Sequence, residues 1–246
     1  MNPSAKSRQY EGPDGHSVQE MFGAIAGRYD LLNHLLSASV DRYWRGQAVR
    51  LIRSLSPGSG DRCLDICTGT GDLAIAISEQ LKLETIGTDF CHPMLVESLP
   101  KVSRPSAGPA IRIAEADAQQ LPFSDNSFQF TTVAFGVRNV ESLELALEEM
   151  FRVLVPGGTA LVLEFSKPVI PGFSQLFDFY FTHILPRVGA LVSGVDGPYQ
   201  YLPASVRRFP SQSEFVSLII DTGFTQVQYR NLTGGVAALH WGRKPA

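Results

Sequence analysis

The sequence predicts one α/β domain with a seven-stranded, mostly parallel sheet, an N-terminal helical addition and an antiparallel hairpin at the C-terminus. Short apolar runs alternate with helical segments from Arg62 onward, as in consecutive βαβ units. The first of these runs breaks into a glycine-containing turn and then resumes as a helix. With 246 residues, the chain is long enough for one well-buried domain and too short for two of full size.

Before the sheet, the pattern predicts two segments. Residues 1–16 are polar, contain glycine and proline, and have no apolar stretch typical of a signal peptide, so we expect a disordered tail. Residues 17–56 follow helical spacing, with Ser17 as the N-cap and Glu20 completing a capping box. We expect this region to form a helical lid over the ligand crevice.

Residues 57–246 are predicted to form the core in a doubly wound, Rossmann-like arrangement. Ligands of such sheets bind outside the carboxyl ends of the strands. Asp65, Asp89, Asp117 and Gly136 all fall at such ends. The predicted strands are 62–66, 84–88, 111–114, 128–135, 159–165, 225–231 and 236–241.

The turn at Gly69-Thr70-Gly71 predicts a nucleotide site, because glycines allow close backbone approach and the next helix begins with unpaired N–H groups. Its spacing also satisfies the dinucleotide fingerprint, with Asp89 twenty residues beyond Gly69. Asp65 and Asp72 bracket the turn, and their carboxylates would oppose a pyrophosphate. They favour S-adenosylmethionine, which has no phosphate and carries an ammonium and a sulfonium.

Composition excludes several classes of protein. With 44% hydrophobic and 18% charged residues, the chain is typical of soluble globular proteins, and no run of apolar residues is long enough to span a membrane. A net charge of −3 argues against a nucleic-acid partner. An odd number of cysteines suits a reducing, cytoplasmic compartment. Cys63, Cys67, Cys91 and His92 match no standard zinc spacing, so we expect no metal.

Residues 166–201 are rich in aromatic and apolar side chains and contain few charges. One interpretation is a pair of core helices. The other is an apolar tunnel or a membrane-facing surface for a greasy substrate, because so much exposed apolar area would otherwise promote aggregation. We expect this stretch to be an apolar substrate insert.

Several motifs resemble one family over nearly the whole chain: the quinone C-methyltransferases, a branch of the class I S-adenosylmethionine-dependent methyltransferases. Asp65-x-x-x-Gly69-Thr70-Gly71, Asp89 and Pro156-Gly157-Gly158 are general to class I. The specific matches are Met21-Phe22 to Asn33, Trp44-Arg45, Phe135-Gly136-Val137-Arg138-Asn139-Val140, Leu163-Glu164-Phe165-Ser166-Lys167-Pro168 and Asn231-Leu232-Thr233-Gly234-Gly235 to His240.

The resemblance implies roles toward S-adenosylmethionine. Asp65, Gly69, Thr70 and Gly71 would form the cofactor loop, with Thr70 at the methionine portion. Asp89 would accept hydrogen bonds from both ribose hydroxyls, and Asp117 with Ala118 would address the adenine. Where some relatives have a serine before Phe-Gly, this chain has Ala134, so no hydroxyl contacts the cofactor there.

For catalysis we hypothesise that Arg138 supplies a cation that stabilises a quinolate, and that Asn139 orients the second hydroxyl. An alternative for Arg138 is a structural ion pair with Glu141 or Glu164. The general base is left open among His240, Asp178 and Tyr201. His240 has a suitable pKa, although a structural role in its strand is an equal alternative.

The resemblance implies methylation of demethylmenaquinol to menaquinol, with a polyprenyl quinol as substrate and transient contact at the inner face of the membrane. Alternatives are the benzoquinol precursor of ubiquinone and a small soluble acceptor. Outside this family, a nicotinamide dehydrogenase and a non-enzymatic binding module are the competing classes. The sequence leaves tail length and oligomeric state open, and a homodimer is compatible with it.

Overall fold

The computed structural model describes residues 10, 12–37, 39–104, 106, 111–170, 172, 175, 180–184 and 197–246. Its strands are β1 Arg62–Ile66, β2 Glu84–Asp89, β3 Arg112–Glu115, β4 Phe128–Ala134, β5 Leu154–Phe165, β6 Thr225–Leu232 and β7 Ala237–Arg243. They form one sheet of seven strands in the order β3-β2-β1-β4-β5-β7-β6.

The helices described are α1 Gly15–Ile25, α2 Tyr29–Leu36, α3 Val40–Ser54, α4 Asp72–Leu81, α5 His92–Val102, α6 Leu143–Val153, α7 Gly197–Arg208 and α8 Gln212–Asp221. Short 3₁₀ turns occupy Ala26–Arg28, Val137–Asn139 and Thr233–Gly235, and a π-helical turn occupies Tyr180–Ile184. No helix within the described ranges is long and apolar enough to cross a membrane.

The strand pairing confirms the predicted sheet. Strands β1 to β5 run parallel, β7 pairs antiparallel with β5, and β6 pairs antiparallel with β7. The order reverses at β1, which has β2 on one side and β4 on the other. In a doubly wound sheet such a reversal opens a crevice between the loops that follow the two strands, and this is where ligands bind.

Helices cover both faces of the sheet and pack against its apolar side chains. On one face, Trp44 and Ile52 of α3 and Ile77 of α4 pack against Phe130 and Leu161. On the other face, α6 and α8 pack on alternate residues of the same strands, as the two-residue period of a strand requires. The helix α3 is therefore part of this packed layer, and the expected lid over 17–56 stays a prediction.

Part of the expected disordered tail over 1–16 is ordered: of this stretch the structure describes residues 10 and 12–16. Tyr10 is buried, and the Gly12 amide donates to the Glu141 carbonyl over 2.8 Å. Asp14, rather than Ser17, caps α1 and accepts from the Ser17 amide over 2.9 Å. The composition of this stretch could not reveal the contact between Gly12 and Glu141, because these residues lie more than a hundred positions apart.

Two further predictions concern the middle of the chain. Pro156-Gly157-Gly158 was expected to precede the fifth strand, but these residues lie inside β5, where the register with β4 shifts between Phe128 and Phe130. Most of the apolar segment 166–201 lies outside the described residues, so the choice between core helices and a substrate insert stays a prediction.

Candidate active site

A crevice lies at the carboxyl ends of β1, β2, β3 and β4, and its empty space is about 1030 Å³ when the open solvent at its mouth is included. Phe22 of α1, Tyr29 of α2 and Arg45 of α3 also line it. A crevice at this place in a doubly wound sheet is the usual site for small organic ligands and cofactors. Most residues predicted for the site line the cavity, namely Asp65, Gly69, Thr70, Asp89, Asp117, Ala118 and Asn139.

The turn after β1 lies with its backbone against the cavity. Gly69 and Gly71 have φ of 57° and 87°, a region that favours glycine. Three of its amides are engaged within the protein: Thr68 donates to the Thr88 carbonyl, Gly69 to the Asp89 carboxylate and Gly71 to the Thr68 carbonyl. These amides are therefore not free to bind a pyrophosphate, which argues against the dinucleotide alternative.

The sequence placed Gly136 at a ligand-binding strand end, but it did not indicate that Cys67 belongs to the site or that these two residues meet there. Cys67 has a φ of 52°, and a Cβ at Gly136 would lie 2.3 Å from the Cys67 Cβ. Both residues line the cavity where the loops after β1 and β4 meet. Gly136 belongs to the motif Phe135-Gly136-Val137-Arg138-Asn139-Val140. A side chain at this position would clash with Cys67, 69 positions earlier, so local sequence patterns could not reveal why a glycine is required.

Asp89 ends β2 and is 7% exposed. One carboxylate oxygen accepts from the Gly69 amide over 2.8 Å, and the other accepts from the Cys91 amide over 2.9 Å. Burial raises the pKa of Asp89 to about 6, and the backbone N–H donors oppose this shift. Since each carboxylate oxygen has two lone pairs, Asp89 retains acceptor capacity for a pair of hydroxyls.

Asp65 lies below the turn, within β1, and is 1% exposed. The hydroxyls of Thr68 and Thr132 each donate to it over 2.7 Å. Burial raises its pKa to about 6, while these hydroxyls and the charge of Arg45 lower it. The cavity thus holds two buried carboxylates, an environment that favours a cationic ligand over an anionic one.

Asp72 plays a different part from the one expected. Lys101 pairs with Asp72 and also with Asp30 of α2, the latter over 2.7 Å. Thr70 donates to the Asp30 carboxylate over 2.5 Å. Because Lys101 compensates Asp72, the preference for a cationic ligand rests on Asp65 and Asp89. The same contacts tie α2 to the glycine turn and hold it over the cavity.

Beyond β3, the cavity is lined by Asp117 and Ala118, to which the resemblance assigns the adenine. Asp117 accepts from the Gln119 amide over 2.9 Å and remains exposed, whereas Ala118 is buried. Phe90 and Met94 line the same part of the cavity and were not predicted. A flat base would therefore meet apolar side chains on its face and an acceptor at its edge.

Arg138 follows β4 as predicted, but it does not line the cavity and is 4% exposed. Its guanidinium pairs with Glu164 of β5 over 2.8 Å, donates to Ser205 Oγ over 3.3 Å and also donates to the Phe135 carbonyl. The ion pair with Glu164 was one of the alternatives weighed from the sequence. This pair anchors the Val137–Asn139 turn to the sheet.

Two tyrosines contact the same turn. Tyr10 donates to the Arg138 carbonyl over 2.5 Å, and Tyr201 of α7 donates to Asn139 Oδ1 over 2.8 Å. Burial raises the pKa of Tyr10 to about 12, so this hydroxyl stays protonated. Asn139, unlike Arg138, lines the cavity.

His240 lies outside the group that the structure brings together. It is 1% exposed in β7, 5.0 Å from the Phe215 ring and 5.5 Å from the Tyr229 ring, measured between centroids. Burial lowers its pKa to about 4, so it is neutral at pH 7. Asp178, another candidate for the base, is outside the described residues.

Comparison with known proteins identifies a family for the chain. A profile of the ubiE/COQ5 methyltransferase family matches residues 9–244. A protein of Deinococcus radiodurans named demethylmenaquinone methyltransferase is 46% identical, over 94% of this chain and 93% of its own. A protein of the same name from Thermus thermophilus is 45% identical, over 92% of this chain and 100% of its own. One from Geobacter sulfurreducens, named ubiquinone/menaquinone biosynthesis C-methyltransferase UbiE, is 43% identical, over 94% of this chain and 89% of its own.

Solved structures agree on the fold. The [4+2]-cyclase SpnF superposes with a TM-score of 0.70 at 15% identity, over 98% of this chain and 100% of its own. Phosphoethanolamine N-methyltransferase 2 of Haemonchus contortus, in complex with S-adenosyl-L-methionine, superposes with a TM-score of 0.58 at 15% identity, over 82% of this chain and 53% of its own. A cyclase and a methyltransferase share this fold, so the fold alone names no reaction.

The residues around the cavity fit S-adenosylmethionine. Asp89 retains acceptor capacity for two hydroxyls, the two buried carboxylates favour a cation, and the turn allows close backbone approach. Together with the sequence relatives, this makes the chain an S-adenosylmethionine-dependent methyltransferase. It belongs to the ubiE/COQ5 methyltransferase family.

Proposed function

We propose that the chain methylates a ring carbon of demethylmenaquinol to give menaquinol. The observation that carries the proposal is that one cavity joins the cofactor residues Asp89 and Asp117 to Asn139, at the far side of β4. The relatives named demethylmenaquinone methyltransferase support a naphthoquinol ring. The name of the Geobacter protein includes ubiquinone and keeps the benzoquinol precursor as the second candidate.

S-adenosylmethionine supplies an electrophilic methyl group at this site. The protein must hold the acceptor carbon in line with that group and keep water away. Phe22, Tyr29 and Phe135 contribute aromatic surface to the cavity, which limits access of water. Holding two reactants in register removes much of the entropic barrier to their reaction.

The acceptor must be the reduced ring, because an oxidised quinone is itself electrophilic. Loss of a hydroxyl proton makes the adjacent carbon a better nucleophile, since the charge of the oxygen delocalises onto it. Hydrogen-bond donors aimed at that oxygen stabilise the developing charge, on the order of 2–4 kcal/mol for one well-placed group. Asn139 lines the cavity, and its carboxamide can supply such a donor.

The long isoprenoid tail of the acceptor keeps it in a membrane. We infer that the enzyme works from the cytoplasm and touches the inner face of the membrane transiently to reach the quinol. The aromatic and apolar composition of residues 166–201 supports this inference.

Labelled S-adenosylmethionine tests the proposal directly. Purified protein is incubated with demethylmenaquinol, with the benzoquinol precursor or with a soluble catechol, each under reducing conditions and with the two lipids in vesicles. We expect label in menaquinol, with at least about tenfold higher kcat/KM than for the benzoquinol, which corresponds to about 1.4 kcal/mol. Preferential labelling of the catechol would contradict a lipid acceptor.

Cofactor binding is expected to release protons near pH 6. Asp65 and Asp89 have pKa values of about 6 in the folded chain, so each carboxyl is about half protonated at that pH. A cationic ligand that donates to Asp89 favours the ionised forms. Affinity for S-adenosylmethionine should therefore increase from pH 5 to 7 and level off above, with release of up to about one proton in total at pH 6.

Titration calorimetry at pH 6, in two buffers of different ionisation enthalpy, measures this release. Equal binding heats in the two buffers, once corrected for dilution, would contradict the assignment of these carboxylates to the cofactor.

The same raised pKa values mean that the folded protein binds more protons than the unfolded chain between about pH 4 and 6. The stability of the protein without ligand should therefore fall as the pH rises through this window.

A further inference from the structure

The carboxamide of Asn139 is held in one orientation by a partner outside the cavity. Its Oδ1 accepts from the Tyr201 hydroxyl over 2.8 Å, and its backbone amide donates to the Gly136 carbonyl over 3.0 Å. Across the parts of the chain that the structure describes, its Nδ2 makes no hydrogen bond. The amide nitrogen is therefore the half of this side chain that is available to a ligand in the cavity.

Tyr201 acts as a donor in this contact. Burial raises the pKa of its hydroxyl, so the proton stays on the oxygen. The flipped orientation would let Nδ2 donate to the Tyr201 oxygen but would turn a carbonyl oxygen toward the ligand. A ring oxygen that gains negative charge therefore favours the orientation in the structure, in which Tyr201 donates to Oδ1.

The helix α7 presents Tyr201 together with a second contact. Ser205, four positions later on the same face of the helix, accepts from Arg138 Nε over 3.3 Å. Through these two residues α7 contacts both Arg138 and Asn139, the last two residues of the turn. The hydroxyl of Tyr201 is thus placed by a helix and not by its side-chain contact alone.

We infer that Tyr201 is a positioning residue for methyl transfer: it fixes the Asn139 carboxamide with the amide N–H directed at a ring oxygen of the quinol. The inference rests on the proposed function. An N–H donor stabilises the negative charge that develops on that oxygen, whereas a carbonyl in its place would repel the charge.

Tyr201→Phe removes the hydroxyl and keeps the ring, and Asn139→Ala removes the carboxamide. We expect Tyr201→Phe to lower kcat about tenfold, equal to about 1.4 kcal/mol, with unchanged affinity for S-adenosylmethionine. If Tyr201 acts through Asn139, then adding Tyr201→Phe to Asn139→Ala should change kcat less than about twofold. Tyr229 is an exposed tyrosine on β6. Tyr229→Phe is therefore the matched control and should leave kcat unchanged.

A readout without turnover uses 1,4-naphthoquinone as the probe. Its affinity, followed by quenching of tryptophan fluorescence, should fall about fivefold in both Tyr201→Phe and Asn139→Ala, and no further in the double variant. Full additivity of the two substitutions in kcat and in probe affinity would overturn the inference. So would wild-type kcat in Tyr201→Phe.

Asn139→Asp gives an independent pH profile. The introduced carboxyl can donate to the ring oxygen only when protonated, so activity should decline as the pH rises through its pKa, with Tyr201 intact. A profile identical to that of the wild type would overturn the inference. Absence of quinol methylation by the wild-type protein would instead refute the proposed function, so the two failures are distinguishable.

Discussion

Replacing Arg138 with alanine is expected to lower the free energy of unfolding by about 3–5 kcal/mol, because it leaves Glu164 buried without its cation. Glu164 is 1% exposed and pairs with Arg138 over 2.8 Å. The substitution also removes the donors to Ser205 Oγ and to the Phe135 carbonyl. Denaturant unfolding of Arg138→Ala against the wild type measures the loss.

The double variant Arg138→Met with Glu164→Leu separates stability from chemistry. Replacing a buried ion pair with apolar side chains of similar volume is often neutral or stabilising, so we expect it to recover most of the stability. If the recovered protein also recovers quinol methylation, Arg138 supports the turn only. If the double variant folds but its turnover is at least about 100-fold slower, the charge of Arg138 contributes to catalysis. This rate loss corresponds to about 2.7 kcal/mol in activation free energy. An Arg138→Ala protein of wild-type stability would contradict the structural role.

Asp89→Ala is expected to weaken S-adenosylmethionine binding by at least about 100-fold. Two hydrogen bonds from hydroxyls to a carboxylate are worth about 1.5–3 kcal/mol each, and the variant loses both. The Gly69 amide, which now donates to Asp89, also loses its acceptor, so the glycine turn should become less ordered. Titration calorimetry measures the affinity directly.

Asp89→Asn refines this result because it keeps the size of the side chain. One of its two oxygens becomes an NH₂ group facing a backbone N–H, so we expect a loss close to that of alanine. Asp221→Ala, an exposed carboxylate at the end of α8, is the control for net charge. Affinity in Asp89→Ala within a factor of three of the wild type, with the fold intact, would contradict the ribose assignment.

Much of the architecture could be predicted because it depends on local patterns. Apolar runs of strand length, the glycines after β1 and the acid at the end of β2 all lie within a few residues of the features that they determine. The parallel direction of β1, β2 and β4 follows from the helical crossovers between them. The position of Asp89 in the cavity could therefore be anticipated from its distance along the chain.

The contacts that orient the site could not be anticipated in the same way. Whether Arg138 points at a ligand or at Glu164 depends on a neighbouring strand 26 positions later. Likewise, Lys101 meets Asp30 and Asp72 only because α2, α4 and α5 converge at the glycine turn. Each of these side chains could pair with any of several nearby charges, and no periodic pattern in the sequence indicates which pair forms.

The turn at Val137–Asn139 has a consequence for the order of biosynthesis. Its anchors lie 128 positions earlier, at Tyr10, and 62 positions later, at Tyr201. A ribosome must therefore release α7 before the acceptor end of the cavity can be completed, although the cofactor loops have emerged long before. Contacts of such long range slow folding, because a long loop must close before they form. A nascent chain that ends before α7 therefore lacks the Tyr201 anchor of the turn, together with strands β6 and β7 of the sheet.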